Sequence, residues 1–238
     1  MISIRNPGRV AGLWYLLLVL AGPLRLLYIP GKLFVHGNAS ATVGNISGHQ
    51  LLFRMGIVVD LAAAVVLIFL TLAFYRLFVN VDRNLSVQVV IFGGVMPSLL
   101  YFVGVACDLG ALMVARGADF LSAFDSPQRD AFAMLFLRLR DHQITAAEVL
   151  WGVWLLPLGL LVYKSRFLPR FLGIWLLVNG AAYIVVSLTG VMWPQYQSKL
   201  FNLLQPALFA EIALMLWLVI KGVKPRTMEA SALSSAAG

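Results

Sequence analysis

The sequence predicts an all-α, polytopic membrane bundle of six transmembrane helices. Its 238 residues are 61% hydrophobic and 12% charged, against about 45–50% and about 25% in soluble domains. Six apolar stretches come close to the roughly 20 residues that cross a hydrocarbon core of about 30 Å. The basic residues that flank these stretches are divided unequally between two sides. Only short loops remain outside the stretches, so we expect residues 1–223 to form a single transmembrane domain.

The six spans follow from the length of each apolar run. We place them at Val10–Tyr28, Leu51–Phe74, Val87–Val114, Ile144–Tyr163, Phe171–Val191 and Leu203–Ile220. Arg5 and Arg9 precede the first span, as they would precede the apolar part of a signal peptide. The Ala21-Gly22-Pro23 stretch offers no Ala-x-Ala cleavage site. We therefore expect the first span to be retained as a helix.

The orientation follows from the basic residues beside the spans. One side collects ten lysines and arginines, namely Arg5, Arg9, Arg76, Arg83, Lys164, Arg166, Arg170, Lys221, Lys224 and Arg226. The other side collects six, namely Lys32, Arg116, Arg129, Arg138, Arg140 and Lys199, and four aspartates offset them. The positive-inside rule therefore predicts that both termini lie in the cytoplasm. Residues 224–238 are small and polar, which predicts a disordered cytoplasmic tail.

Two outer loops are long, Ile29–Gln50 and Ala115–Gln143. The second contains Ser126-Pro127, which predicts a helix N-cap followed by proline at the first helical position. The helix from about Pro127 to Asp141 mixes apolar residues with arginines. We expect it to lie in the headgroup region between spans three and four. The alternative is that it extends the fourth span outward.

Charge and motifs exclude several classes of protein. The net charge is +8, but the basic residues never form one continuous stripe, so we expect contact with anionic lipid headgroups and no nucleic-acid partner. The single cysteine, Cys107, excludes an intrachain disulfide. The sequence has no P-loop, G-x-G-x-x-G, HExxH or cysteine-rich metal signature. These absences argue against nucleotide-driven transport and against the common metalloprotease chemistry.

Ionisable residues inside or at the edge of the spans are the candidate functional residues. Each costs about 2.5–3.5 kcal/mol on insertion scales, and all are predicted near the outer face: Arg25, Arg54, Asp60, Asp108, Glu148 and Glu211. Asp60 lies about 9 Å deeper than Arg54, at 1.5 Å per helical residue. We predict that the four carboxylates line an outward-facing acidic pocket that binds a ligand or protons, with Arg54 and Arg25 as charge partners.

Each of these residues also has a simpler structural interpretation. Arg25 and Arg54 can extend to the outer headgroups. Asp108 and Glu148 are near enough to the outer end of their spans to be exposed at the interface. Carboxylates have short stems, so Asp60 and Glu211 are expected to face the interior, where they either line the pocket or lock helices together through ion pairs.

Counting charges gives the main functional inference from the sequence. Four membrane carboxylates face two membrane arginines, which leaves two negative charges that a low dielectric does not tolerate unpaired. Either protons or a cation must neutralise them. A zinc site would need several His or Cys side chains close together. The chain has three histidines, two of them, His49 and His142, at the outer rim, so we expect no metal site.

Three segments resemble a known family. They are Arg9-Val-Ala-Gly-Leu-Trp-Tyr-Leu, then Leu52-Phe-Arg-Met-Gly-Ile-Val-Val-Asp60-Leu, and Leu158-Gly-Leu-Leu-Val-Tyr163-Lys-Ser165-Arg-Phe-Leu-Pro169-Arg-Phe-Leu-Gly173. From about Pro7 to Val223 the chain resembles the bacterial membrane family called domain of unknown function 4386. The resemblance implies a six-helix inner-membrane protein and makes Arg54 and Asp60 part of the family pattern. Where the family often has histidine this chain has Trp154, which weakens a relay built on that position.

Three classes of function remain after these exclusions. The first is a small protein of the bacterial inner (cytoplasmic) membrane that binds or transports a small cationic or proton-coupled ligand. The second is an intramembrane enzyme that uses a carboxylate pair, with or without a metal at His142 or His49. The third is a non-catalytic assembly or partner protein whose charges only pack helices. The expected partners are membrane lipids and a small-molecule ligand; the sequence specifies no cofactor and no oligomeric state.

Overall fold

A computed structural model describes residues 6–223, and within that range the chain is helical and contains no β-strand. Six of its helices are long and apolar enough to cross a membrane, which confirms the predicted fold class. A short helix, α2, lies between the first two of these six and is numbered with them. The helices are α1 Pro7–Leu33, α2 Ala39–Gly48, α3 Gln50–Phe78, α4 Arg83–Ala115, α5 Ser126–Lys164, α6 Arg170–Met192 and α7 Pro194–Ile220. The predicted disordered tail, 224–238, lies outside the described residues.

The helices extend beyond the predicted spans wherever polar residues continue the helix. The largest difference is α5, which begins at Ser126 and includes the segment predicted as a separate helix from Pro127 to Asp141. Its position relative to the headgroups stays a prediction. The last helix, α7, begins at Pro194, whereas the predicted span begins at Leu203. The prediction omits the first turns because they are polar and fall below the hydropathy of a span.

The start of α5 is fixed by a reciprocal pair of hydrogen bonds. Asp125 Oδ1 accepts from the backbone N–H of Gln128 at 2.8 Å, and Gln128 Oε1 accepts from the backbone N–H of Asp125 at 3.0 Å. This capping box satisfies two donors that a helix end leaves free. The prediction that Ser126 is the cap was wrong by one residue, because the aspartate before it supplies the capping oxygen.

Three long helices depart from regular α geometry near prolines. The turn Leu24–Tyr28 in α1 is π-helical and directly follows Pro23, and the π-helical turns Val89–Val95 in α4 come shortly before Pro97. In α7 the helix is interrupted at Phe209, three residues after Pro206. Proline removes a backbone donor and its ring clashes with the preceding turn. Pro97 therefore accounts for the turns Val89–Val95, and Pro30 for the turn Leu24–Tyr28, whereas the break at Phe209 has no such cause.

The described residues divide into two compact units, and unit 1 consists of residues 6–19, 65–98 and 145–223. Its centre is aromatic: the Tyr15 ring lies 5.9 Å from Phe74 and 6.2 Å from Trp154. Leucines of α5 pack around this group, and Leu155, Leu158 and Leu161 are fully buried. The buried aromatic and leucine side chains make the core of this unit.

Glycines bring α5 and α6 into close contact within unit 1. A Cβ on Gly152 would fall against the carbonyl oxygen of Gly180, and one on Gly159 would lie 2.9 Å from the carbonyl oxygen of Gly173. Small residues of this kind let the backbones of membrane helices approach each other. The contact fixes the level at which polar residues of the two helices meet. A hydrogen bond also joins the two helices about two turns from the Gly152 and Gly180 pair, where Ser187 Oγ donates to the Thr145 carbonyl at 2.7 Å.

Unit 2 consists of residues 20–64 and 99–144, so it contains both long predicted outer loops. Its apolar core includes Ile29, Phe53, Leu112 and Leu137, all buried. The short helix α2 begins at a normal cap, because Asn38 Oδ1 accepts from the backbone N–H of Ala41 at 2.9 Å. The core surrounds the charged residues described next.

Candidate functional site

Unit 2 holds a buried network of two arginines and two aspartates, which we call the ion network: Arg25, Asp60, Asp108 and Arg140. Arg25 Nε donates to Asp60 Oδ2 at 2.8 Å, and its Nη2 donates to Asp108 Oδ2. Arg140 Nη2 donates to Asp60 Oδ2 at 2.7 Å, and its Nε lies 2.9 Å from Asp108 Oδ2. Each aspartate therefore contacts both arginines, and the two positive and two negative charges balance.

Two glycines and an irregular turn border this network. Arg25 lies in the π-helical turn of α1 that follows Pro23. A Cβ on Gly56 would come 3.5 Å from the Arg25 Nε, and a Cβ on Gly104 would come 3.9 Å from the Arg140 Nε. The four charged side chains are at most 8% exposed. In such surroundings a charge is tolerated only when it is paired and hydrogen-bonded.

Sequence analysis missed Arg140, which it placed among the outer-loop charges. The residue continues a buried helical face, because Ala133, Leu137, Arg140 and Ala147 follow the three-or-four-residue rhythm of a helix and all are buried. Its neighbours Arg138 and Asp141 are exposed. That periodicity was the available signal, and the polar composition of the segment concealed it.

The structure does not bring Arg54 to the ion network. Its side chain is exposed on α3, and none of the ion pairs among the described residues includes it. The arginine that pairs with Asp60 alongside Arg25 is Arg140. Of the six predicted site residues, unit 2 therefore brings together Arg25, Asp60 and Asp108.

Unit 1 contains the other two predicted carboxylates in what we call the glutamate site: Tyr15, Glu148, Asn179, Tyr183 and Glu211. Glu211 lies in the first turn after the break in α7 at Phe209. Its Oε2 accepts from the Tyr15 hydroxyl at 2.5 Å, and its Oε1 accepts from Asn179 Nδ2 at 3.4 Å. Tyr183, one turn beyond Asn179 on α6, also lies close enough to interact with this carboxylate. Neutral donors hold Glu211 in place.

Glu148 lies on α5, within electrostatic range of the same tyrosine. It lies one turn before Gly152, where α5 meets α6, and Tyr183 interacts electrostatically with both Glu148 and Glu211. The neighbouring Trp151 packs its ring 5.9 Å from Tyr183. Glu148 Oε2 is buried and has no hydrogen-bond partner among the described residues, and the same holds for Asn179 Oδ1. Two acceptor oxygens in this site therefore lack a donor.

The two units differ in how their carboxylates are balanced. In the ion network two arginines match two aspartates. Within residues 6–223, no lysine, arginine or histidine forms an ion pair with Glu148 or Glu211. The two unmatched carboxylates counted from the sequence are therefore these glutamates, of which Glu211 accepts hydrogen bonds from Tyr15 and Asn179.

Histidine and cysteine contribute little to either cluster. His49 and His142 are exposed, and His49 Nδ1 lies 3.1 Å from the Asn45 carbonyl oxygen. Cys107 is half-buried and reduced. Across the part of the chain that the structure describes, no group of three or more His, Cys, Asp or Glu side chains is arranged to hold a metal ion.

The six hydrophobic helices and their buried charged residues define a multi-pass α-helical membrane protein. The chain belongs to the family described as Domain of unknown function (DUF4386), whose sequence model matches residues 10–222. The predicted family resemblance is thereby confirmed, and the family description names no activity.

One curated relative covers a smaller part of the chain. It is described as an uncharacterized protein of Archaeoglobus fulgidus and is 30% identical over 90 residues, which are 35% of this chain and 52% of that protein. The chain thus spans about half the length of the curated relative it matches. No solved structure matches the chain.

Proposed function

We propose that this protein binds a small cation in exchange for a proton at Glu148 and Glu211, and so carries or senses that cation in the bacterial cytoplasmic membrane. The proposal keeps the predicted orientation, with both termini in the cytoplasm and the site open to the outer side. One observation carries it. Neither glutamate has a cationic partner among the described residues, whereas the two aspartates of the ion network have two.

Elementary electrostatics supports exchange at such a site. An ionised carboxylate in a low-dielectric span needs a counter-charge, and without a lysine or arginine that charge comes from a proton or from a bound cation. A cation that enters displaces the proton, and a proton that returns releases the cation. The Oε2 of Glu148 and the Oδ1 of Asn179 are free to accept a cation or its N–H donors.

The ion network has a different part in this proposal. Its charges are already balanced, so it needs no cation for neutrality, although Asp108 Oδ1 accepts no hydrogen bond among the described residues. Asp60 and Asp108, which the sequence grouped with Glu148 and Glu211, instead join α3 and α4 to the arginines of α1 and α5. We assign Arg25, Asp60, Asp108 and Arg140 the role of holding unit 2 together, and Arg54 no role in binding.

Proton movement in reconstituted vesicles tests the exchange. The purified protein is placed in vesicles that contain a pH-sensitive dye, and sodium, potassium or choline is added outside in separate runs. We expect at least one cation to drive proton efflux, and Glu148→Gln and Glu211→Gln each to reduce its rate at least tenfold. Asp119→Asn is the matched control, because Asp119 is an exposed carboxylate outside both clusters.

The outcomes separate the alternatives. Equal rates in the wild type and in both glutamine variants would contradict the proposal, as would the absence of proton movement with all three cations. The melting temperature of each variant is measured in parallel, so that loss of exchange is attributed to the site only when the fold is intact.

A second candidate function is that of a non-catalytic assembly protein, and the closed ion network favours it. A set of four charges with no free partner stabilises helix packing without needing a ligand. If this is the function, the glutamine variants lose stability in proportion to their buried contacts and no cation changes their proton content.

A further inference from the structure

An apolar groove on unit 1 shares no lining residue with either charged cluster. It has a volume of about 450 Å³ and is lined by α1 and α3 through Pro7, Val10, Trp14, Phe69, Leu72, Ala73 and Arg76. Volumes of roughly 300–1,000 Å³ are typical of sites that hold one small molecule. The groove is therefore large enough for part of an amphiphilic molecule.

Aromatic side chains form the apolar wall of the groove. The Trp14 and Phe69 rings stack with their centroids 5.1 Å apart. Phe69 is 48% exposed and Leu72 is 40% exposed, so this wall is open to the surroundings of the bundle. An acyl chain fits such a wall, because it needs apolar contact and no hydrogen bonds.

Among the residues that the structure describes, Arg76 is the only charged one that lines the groove. Its side chain is exposed, and among the ion pairs of the described residues none includes it. Phe69 precedes it by seven residues on α3, which is about 10 Å along the helix axis. The groove thus has a cationic end and an apolar end, separated by about the distance from a lipid headgroup to the upper part of its acyl chains.

We propose that the groove binds one anionic phospholipid of the cytoplasmic leaflet, with its phosphate on Arg76 and an acyl chain along Trp14, Phe69 and Leu72. A guanidinium binds phosphate through two parallel hydrogen bonds. Charge complementarity selects an anionic headgroup, because its phosphate charge is not offset by a headgroup cation as it is in phosphatidylcholine. The positive-inside prediction puts Arg76 at the cytoplasmic surface, where anionic lipids attract basic residues. This lipid site does not depend on cation exchange at the glutamate site.

Fluorescence quenching by brominated lipids tests the site, because Trp14 lies in the groove itself. The wild-type protein and Trp14→Phe are reconstituted in phosphatidylcholine vesicles that contain increasing fractions of either phosphatidylglycerol or phosphatidylcholine brominated on the acyl chains. The difference between the two proteins gives the quenching of Trp14. We expect half-maximal quenching at an about fivefold lower fraction of phosphatidylglycerol, the effect of roughly one basic residue near a membrane surface.

Two arginine variants decide whether Arg76 supplies that preference. Arg76→Gln should remove the difference between the two lipids. Arg83→Gln should keep it, because Arg83 is exposed on the same predicted side but does not line the groove. If Trp14→Phe alters the melting temperature, native mass spectrometry of the wild type and of both arginine variants counts retained phosphatidylglycerol instead.

Three results would overturn the proposal. Equal quenching by the two lipids would mean that the groove contacts bulk lipid without selecting a headgroup. An equal loss in Arg83→Gln and Arg76→Gln would mean general attraction to the surface. Quenching that does not involve Trp14 would mean that another part of this chain or a second copy covers the groove.

Discussion

Arg140→Gln is the most informative single change in unit 2. Arg140 contacts Asp60 at 2.7 Å and Asp108 at 2.9 Å, and its side chain is only 8% exposed. The substitution leaves two buried aspartates against Arg25 alone, so one negative charge loses its partner. Removing one partner of a buried ion pair typically costs about 3–5 kcal/mol. We expect the free energy of unfolding to fall by about this amount.

Two further variants separate charge balance from simple loss of contact. In Asp108→Asn/Arg140→Gln the remaining pair, Arg25 and Asp60, is again balanced, so the double variant should lose less than the sum of the two single variants, with a coupling of about 0.5–3 kcal/mol. Arg54→Gln removes the same type of side chain from an exposed site in the same unit. It should change the free energy of unfolding by no more than about 0.5 kcal/mol.

The assay is equilibrium unfolding of the purified protein in mixed detergent micelles with increasing sodium dodecyl sulfate, followed by circular dichroism. Equal stability of Arg140→Gln and Arg54→Gln would contradict a buried ion pair at Arg140. A double variant that loses the full sum of the single changes would mean that the charges act independently.

Two other predictions concern packing and pH. Gly152→Leu puts a side chain against the carbonyl oxygen of Gly180 and should lower the free energy of unfolding by about 1–3 kcal/mol in the same assay. The control Gly44→Ala, whose Cβ would meet no atom within 4 Å, should be neutral or stabilising. Equal effects of the two substitutions would contradict the close helix contact. Lys164 donates to Asp82 Oδ2 at 2.9 Å and lowers the pKa of that carboxyl. A lowered pKa in the folded protein stabilises it above the ordinary aspartate value of about 3.9 and ceases to do so as the pH falls through the lowered value. Lys164→Met should therefore lower the free energy of unfolding by about 0.2–1 kcal/mol at pH 6 and leave it unchanged at a pH below the lowered pKa of Asp82. A loss that is independent of pH would contradict the ion pair.

Hydropathy predicted the helices because an apolar run of fixed length is a local property. All six spans lie within helices of the structure, although α7 begins at Pro194 where the prediction began at Leu203. The polar start of α7 was missed for the same reason, and the continuous α5 corresponds to the alternative in which the segment extends the fourth span. A hydropathy criterion responds to mean composition, whereas a helix continues through polar residues when its backbone hydrogen bonds continue.

The candidate site was predictable as a set of residue types but not as a set of partners. The excess of two carboxylates could be counted from the sequence, and Asp60, Asp108, Glu148 and Glu211 were all identified. Their division between two clusters could not. Tyr15 donates to Glu211 across 196 positions of the chain, and no sequence pattern connects residues so far apart. The number of membrane arginines was right only because Arg54 was counted in place of Arg140, which was assigned to a loop.

Infrared spectroscopy of the carboxyl groups tests the assignment of the two unbalanced charges most directly. At neutral pH and without small cations, we expect a protonated carboxyl band that weakens in Glu148→Gln or Glu211→Gln and is unchanged in Asp108→Asn/Arg140→Gln. A spectrum without that band would contradict the assignment, as would a band that disappears in Asp108→Asn/Arg140→Gln but not in Glu148→Gln or Glu211→Gln.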